Sequence, residues 1–217
     1  HEAPGPGPSL LRVLRDEQGL ENLTLVHRLD KDASGVLLLG RTKQAASALQ
    51  ACWTEVEKNY LALCEGIPKA SSGLIDAPIL EHQTGRPKRM EFALRKFAQL
   101  NPGLEVPPPP APKTSGVHPA GRKSETTYRV AEEFRGARSA WSLLELSPRQ
   151  GRMHQLRVHL AYLGHPLAVD RLYGRRAALT ENDLADPPSG TGDGAIMLAR
   201  MPLHAARLIF PLPHEAG

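Results

Sequence analysis

The sequence predicts an α+β fold with a largely antiparallel sheet, and three observations point there. Stretches with strand character outnumber those with helical periodicity, several strand-like stretches are neighbours in the chain, and the helical ones are dispersed between them. The 217 residues, 41% of them hydrophobic, suffice for one well-buried core or one core plus a small lobe. No apolar run approaches the roughly 20 residues of a membrane span, so a soluble protein is expected.

Residues 2–8 carry too much Pro and Gly for regular structure, and they lack the basic segment and apolar core of a signal peptide. Because the chain opens on His1 rather than Met, its numbering is expected to start inside a longer natural protein. Ser9 can cap a helix over 10–16, with Leu10, Leu11 and Leu14 on one side. Two apolar runs, one ending at Val26 and one covering 36–39, read as strands joined by a charged loop that contains His27, Arg28, Asp30, Lys31, Asp32, Ser34 and Gly35. Thr42 is placed to cap a helix through Trp53, with Ala45, Ala48, Leu49 and Cys52 as its buried face. The alternation of apolar residues over 58–66 predicts a strand buried on both faces.

Arg86, Pro87, Lys88, Arg89 and Met90 are expected to begin a basic strand. Residues 99–121, with four consecutive prolines at 107–110, read as an exposed excursion between two strands, in polyproline II or disordered form. Strands resume at 123–130 and 141–146. Leu156, Leu160 and Leu163 share a helix face, and Gly164 followed by Pro166 stops that helix.

Lys plus Arg number 27 against 23 acidic residues, a net charge of +4 that permits an anionic partner without requiring one. Cys52 and Cys64 have no C-x-x-C spacing, which argues against a disulfide framework or structural zinc and suits a reducing, cytoplasmic compartment. His154 and His159 are five apart rather than four and lack an H-E-x-x-H pattern, so no metal site is expected. A kinase-like His-Arg-Asp loop is ruled out because Leu29 intervenes and no Asn follows at the required spacing. An Asp beside an Arg at a strand end is by itself most often a solvated turn residue.

Four stretches in order change that reading of Asp30. His27-Arg28-Leu29-Asp30 followed by Ser34-Gly35 resembles the H-R-L-D-x-x-T-S-G signature of the RluA-type pseudouridine synthases. Lys58, Tyr60, Ala62 and Gly66 resemble that family's K-x-Y-x-A-x-x-x-G strand. Residues 151–160 resemble its G-R-T-H-Q-I-R-V-H-L helix, and Gly164, His165, Pro166, Leu167, Asp170, Tyr173 and Gly174 the turn that follows. Leu203, His204, Ala205, Leu208 and Phe210 resemble its closing strand. The departures are Ala33 and Met153 for threonines and Val169 for a glycine, none of which removes a titratable group.

The resemblance implies a mixed, largely antiparallel central sheet split by a catalytic cleft, with the Asp30 loop at its floor. It implies one catalytic domain over 1–217, lacking the family's usual first strand, of which His1 would be the last residue, and any S4-type domain. The implied activity is isomerisation of uridine to pseudouridine in rRNA or tRNA, by a cytoplasmic monomer with no cofactor. Asp30 is the expected nucleophile, attacking the sugar C1′ or the pyrimidine C6; Arg157 is its expected charge partner, and Tyr60 stacks on the base. Arg28 is expected to fill the space left by the flipped nucleotide, and His27, Lys31, Lys88, Arg89 and Arg152 to contact RNA, with Arg86, Arg149 and Arg171 as further phosphate contacts. Two other classes compete: a catalytically idle RNA-binding module, which should have lost one of Asp30, Tyr60 and Arg157, and an unrelated hydrolase, which should show a metal cluster or a nucleophile and base pair.

Overall fold

The computed structural model describes residues 9–82, 87–135, 139–184 and 194–211. Arg86, His1 and any strand ending at His1 lie outside them. Helix α1 (Leu10–Gln18) is capped by Ser9, whose side chain accepts from the Arg12 amide, and it stops at Gly19 in a left-handed conformation. Strand β1 (Thr24–Leu25) leads into the charged loop. The strand expected to leave that loop is split in two: β2 (Ser34–Gly35) and β3 (Leu39–Gly40), of which β3 returns to pair with β1.

Helix α2 (Lys43–Ala51) has Thr42 as its cap, but its buried face differs from the expected one. Ala46 is the buried residue, Leu49 and Cys52 are half-buried, and Ala45 and Ala48 are exposed. Gly40 sits directly against the Ala46 backbone, so the helix turns its smallest contact surface onto β3. A 3-10 turn (Trp53–Glu55) then feeds β4 (Glu57–Glu65), followed by β5 (Ser72–Asp76) and β6 (Ile79–Glu81).

The expected basic strand at 86–90 is instead the start of helix α3 (Pro87–Leu100). Met90, Ala93, Leu94 and Phe97 recur at helical spacing and form its inner face, a period that the run of basic residues at its start hides. The excursion over 99–121 is likewise tied down rather than free. Its β7 (Ser115–Val117) pairs with β6, His118 donates from Nε2 to the Pro107 carbonyl at 2.9 Å, and His82 donates from Nδ1 to the Pro110 carbonyl at 2.8 Å. Four consecutive prolines have carbonyl acceptors but no amide donors of their own, and two histidine rings donate to two of those carbonyls.

The remaining elements are β8 (Glu125–Arg135), β9 (Ala140–Pro148), α4 (Gln155–Tyr162), β10 (Leu179–Thr180), α5 (Glu181–Leu184), β11 (Ile196–Leu198) and β12 (Leu203–Ile209). The main sheet has six strands in the order β2-β12-β4-β9-β8-β5. Every neighbouring pair in it is antiparallel except β2 with β12, so it is the mixed, largely antiparallel sheet that was expected. The parallel pair depends on Gly35, whose φ of +111° and close approach to the Ala205 carbonyl leave no space for a side chain.

Helix α4 lies on this sheet with Leu156 and Leu160 packed among Ala62, Leu144, Leu146 and Leu203. His159, fully buried on the same helix, donates from Nε2 to the Ala77 carbonyl at 3.0 Å and accepts at Nδ1 from the Thr126 hydroxyl at 2.9 Å. Burial therefore lowers its pKa. A histidine harder to protonate in the fold than in the open chain contributes stability that is present above the open-chain value and is lost as pH falls below it. Urea midpoints are thus expected to fall between pH 7.5 and 5.5. His159→Leu should cost about 2–4 kcal/mol at pH 7.5, by orphaning the two partners, and should flatten that pH dependence.

Candidate active site

A cavity of about 670 Å³ opens where the loop after β1, strand β4 and the start of α4 meet. Among the residues lining it are Arg28, Asp30, Tyr60, Arg89, Arg152 and His154. The Asp30 carbonyl accepts from the Ala33 amide at 3.1 Å, which curls the loop back and turns the carboxylate inward. That carboxylate keeps about a quarter of its surface exposed and approaches Arg157 Nη1 at 3.4 Å.

Arg157 has a closer partner than the expected one. Its Nε and Nη2 each donate to a different oxygen of Asp170 at 2.7 Å, a parallel two-bond pair that is almost wholly buried. Burial opposes the charge on Arg157, but the bonds to Asp170 outweigh it and raise its pKa. Burial likewise works to raise the pKa of Asp170, and Arg157 together with the amides of Leu172 and Tyr173 brings it below the usual carboxylate value. Asp30 therefore meets a guanidinium already held from behind.

The same Arg157 lies over the Tyr173 ring, 5.0 Å from its centroid. The Tyr173 hydroxyl receives the Ser115 amide at 2.8 Å and contacts His154 Nδ1 at 2.8 Å. His154 enters α4 with φ of 58°, in the left-handed region. Burial lowers its pKa, against the pull of the Asp30 charge. Gln155 fixes this entry to β8: its amide donates to the Glu125 carbonyl at 3.0 Å and the Thr126 hydroxyl at 3.2 Å, while its carbonyl accepts from the Arg152 amide. Tyr60 reaches the cavity from β4, and burial, with the Asp30 charge second, holds its hydroxyl protonated.

Of the residues expected at the site, Asp30, Tyr60, Arg28, Arg89 and Arg152 line one cavity, with Arg157 directly behind Asp30. His27 does not line it: its ring stacks on Trp53 at 4.7 Å and its Nε2 accepts the Leu38 amide at 2.9 Å, a structural role that burial favours by lowering its pKa. Lys31, Lys88 and Arg171 are exposed and outside the lining, and Arg149 pairs with Glu125 at 3.4 Å. Sequence reasoning assigned no task to Asp170, Tyr173 or His154, although all three fall inside the quoted motifs. The available signal was the D-x-x-Y spacing, which lets one carboxylate accept the next turn's amides. It also missed Glu81, which accepts from Arg122 at 2.6 Å and from the Met153 amide at 3.2 Å on the cavity wall.

A mixed sheet whose floor carries a carboxylate, backed by a buried guanidinium and facing basic walls, defines a site suited to an anionic substrate. Residues 8–162 match the family described as RNA pseudouridylate synthase, and the chain belongs to that family. The RluA-type resemblance of its four motifs is borne out by its relatives. It is 34% identical over 94% of its length to the ribosomal large subunit pseudouridine synthase C of Vibrio parahaemolyticus, covering 51% of that protein. It is 34% identical over 88% of its length to the ribosomal large subunit pseudouridine synthase D of Nitrosomonas europaea, covering 44% of it. The chain thus spans about half the length of the curated relatives it matches. Among solved structures, human RNA pseudouridylate synthase domain containing 1 superposes with a TM-score of 0.64 at 27% identity, over 95% of this chain and 71% of that one.

The pairing of Arg157 with Asp170 predicts unequal losses of stability. Asp170→Asn should cost about 3–5 kcal/mol in urea denaturation, because it leaves a buried guanidinium without its main counter-charge. Asp30→Asn, at a partly exposed and longer contact, should cost less than about 1 kcal/mol.

Proposed function

We propose that this chain isomerises uridine to pseudouridine in structured RNA, with Asp30 as nucleophile. The observation that carries this reading is the placement of Asp30 in a basic cavity, 3.4 Å from a guanidinium whose other edge is occupied by Asp170. The names of the relatives favour large-subunit ribosomal RNA as the substrate class. The reaction is redox-neutral: Asp30 forms a C–O bond to C1′ or C6, the N1–C1′ bond breaks, the base turns, C5 bonds to C1′, and the bond to Asp30 breaks to return the free carboxylate. A proton leaves C5 and one is gained at N1, so product and substrate have the same composition.

In this reading Tyr60 stacks under the base. Because burial keeps its hydroxyl protonated, it serves the C5 proton shift as a relay rather than as a standing base. Arg28, exposed at the cavity mouth, takes the place of the extruded base in the RNA stack. Arg89 and Arg152 hold backbone phosphates nearby. A monomer in the cytoplasm is the simplest setting, and among the described residues no helix is long and apolar enough to cross a membrane.

Pseudouridine mapping across total RNA with and without the gene identifies the target and tests the assignment as a whole. On that target Asp30→Asn should bind RNA normally while its single-turnover rate falls by ~10³ or more, since an amide of the same shape is a far weaker nucleophile. Turnover at a few percent of the parent rate, with deamidation excluded, would remove Asp30 from the role.

Arg28→Ala tests base flipping separately. It should slow isomerisation about tenfold more in structured RNA than in a short unpaired oligonucleotide, where unstacking costs less. Equal slowing on both substrates would leave Arg28 without that function.

A further inference from the structure

Lys58 stands on β4 two residues before Tyr60, and the chemistry above gives it no task. It is 7% exposed and is nevertheless among the residues that line the cavity. Among the described residues no carboxylate pairs with it, and desolvation alone lowers its pKa. The other cavity cations differ. Arg122 is paired with Glu81, Arg28, Arg89 and Lys113 are exposed, and Arg152 is half-buried with its guanidinium on the Lys123 carbonyl. A desolvated charge without a counter-charge is costly to keep, which implies that a ligand supplies the missing anion.

A stack of rings holds the side chain in place. The Lys58 ammonium lies 5.7 Å from the centroid of Trp53, and Trp53 lies on His27 with 25° between the ring planes. His27 is pinned by the Leu38 amide, and its burial, reinforced by the Lys58 charge, disfavours a second cation in the stack. This gives His27 a use that RNA contact did not.

We propose that Lys58 is a phosphate anchor inside the cavity: its ammonium takes a non-bridging oxygen of a phosphodiester adjacent to the target nucleotide, with the His27 and Trp53 rings as positioning residues. Lys58 and Tyr60 are two apart on one strand, so they face the same side, roughly 6–7 Å apart along it. That separation is comparable to the distance between a base and its own phosphate in one nucleotide. A base stacked on Tyr60 therefore brings a phosphate within reach of Lys58. The exposed rim cations can hold flanking RNA before any base is flipped, whereas a cation at this depth is reached only by a nucleotide drawn into the cavity.

The proposal rests on the proposed function, and its test separates the two. The RNA segment found by mapping is prepared with one uncharged methylphosphonate linkage, either 5′ or 3′ of the target uridine. Dissociation constants and single-turnover rates are measured across salt for the parent chain, Lys58→Met and Lys58→Gln, with folding checked by urea denaturation. Lys58→Met should weaken binding about tenfold or more and shrink the salt slope by about 0.7 for a single-stranded contact. One of the two methylphosphonates should cost the parent a similar factor and cost Lys58→Met nothing further, since both changes remove the same contact. If Lys58→Met does not fold, Lys58→Gln must show the same coupling.

Losses that add independently at both linkages overturn the anchor, as does a slower rate with unchanged binding and salt slope, which would make Lys58 a proton donor instead. A parent chain that forms no pseudouridine in any RNA fails the functional reading itself. A parent chain that does form it, with uncoupled losses, fails Lys58 alone.

Discussion

Everything at the floor of this site depends on the buried pair between Arg157 and Asp170. A guanidinium this deep in the protein must have its charge answered, and two parallel bonds of 2.7 Å answer it fully along one edge. The pair fixes more than itself. Asp170 also gathers the amides of Leu172 and Tyr173, which orients the turn after α4, and Tyr173 then supports both the guanidinium face and His154. What remains available on Arg157 is one nitrogen, and that nitrogen meets Asp30 at 3.4 Å. A carboxylate locked in its own two-bond pair would have its lone pairs engaged and would be a poor nucleophile. Asp30 instead sits in a positive field that it does not have to neutralise alone.

The position of Asp30 itself is secured from the other side, through contacts between chain segments far apart in sequence. Ser34 and Gly35 lie alongside His204 and Ala205 in the one parallel pairing of the main sheet. Gly35 permits the close approach, and the Ser34 hydroxyl meets His204 Nδ1 at 2.9 Å and receives Arg200 at 2.6 Å. The loop is thus held at its base by β12 while its tip faces α4. Two rigid supports converge on one short loop, which is how a side chain can be both accessible and fixed.

The histidines show how residue type underdetermines role. Four of them serve as packing and hydrogen-bonding pieces: His159 between β8 and the Ala77 carbonyl, His118 and His82 on proline carbonyls, and His27 beneath Trp53. Among the described histidines, only His154 lines the cavity, close to its charged groups. A motif records that a histidine is needed without saying whether its ring is to be used against substrate or against the backbone.

The sequence by itself determined the sheet-rich α+β class, the strands over β4, β8, β9 and β12, the helix carrying Arg157, and the grouping of Asp30, Tyr60 and Arg157 at one site. Those features are written in local periodicity and in motifs whose residues stay close along the chain. It misjudged α3, where basic residues obscured a helical period, and the proline-rich excursion, where two histidines from outside the proline run supply the tethering bonds. The partner of Arg157, the split of the strand after Asp30 and the seating of α2 on Ala46 were decided only by the tertiary structure. Each turns on which group lies opposite which in space. A buried charge takes the nearest carboxylate that can meet it edge to edge, and a helix rests on whichever face lets two backbones approach, neither of which a one-dimensional pattern encodes.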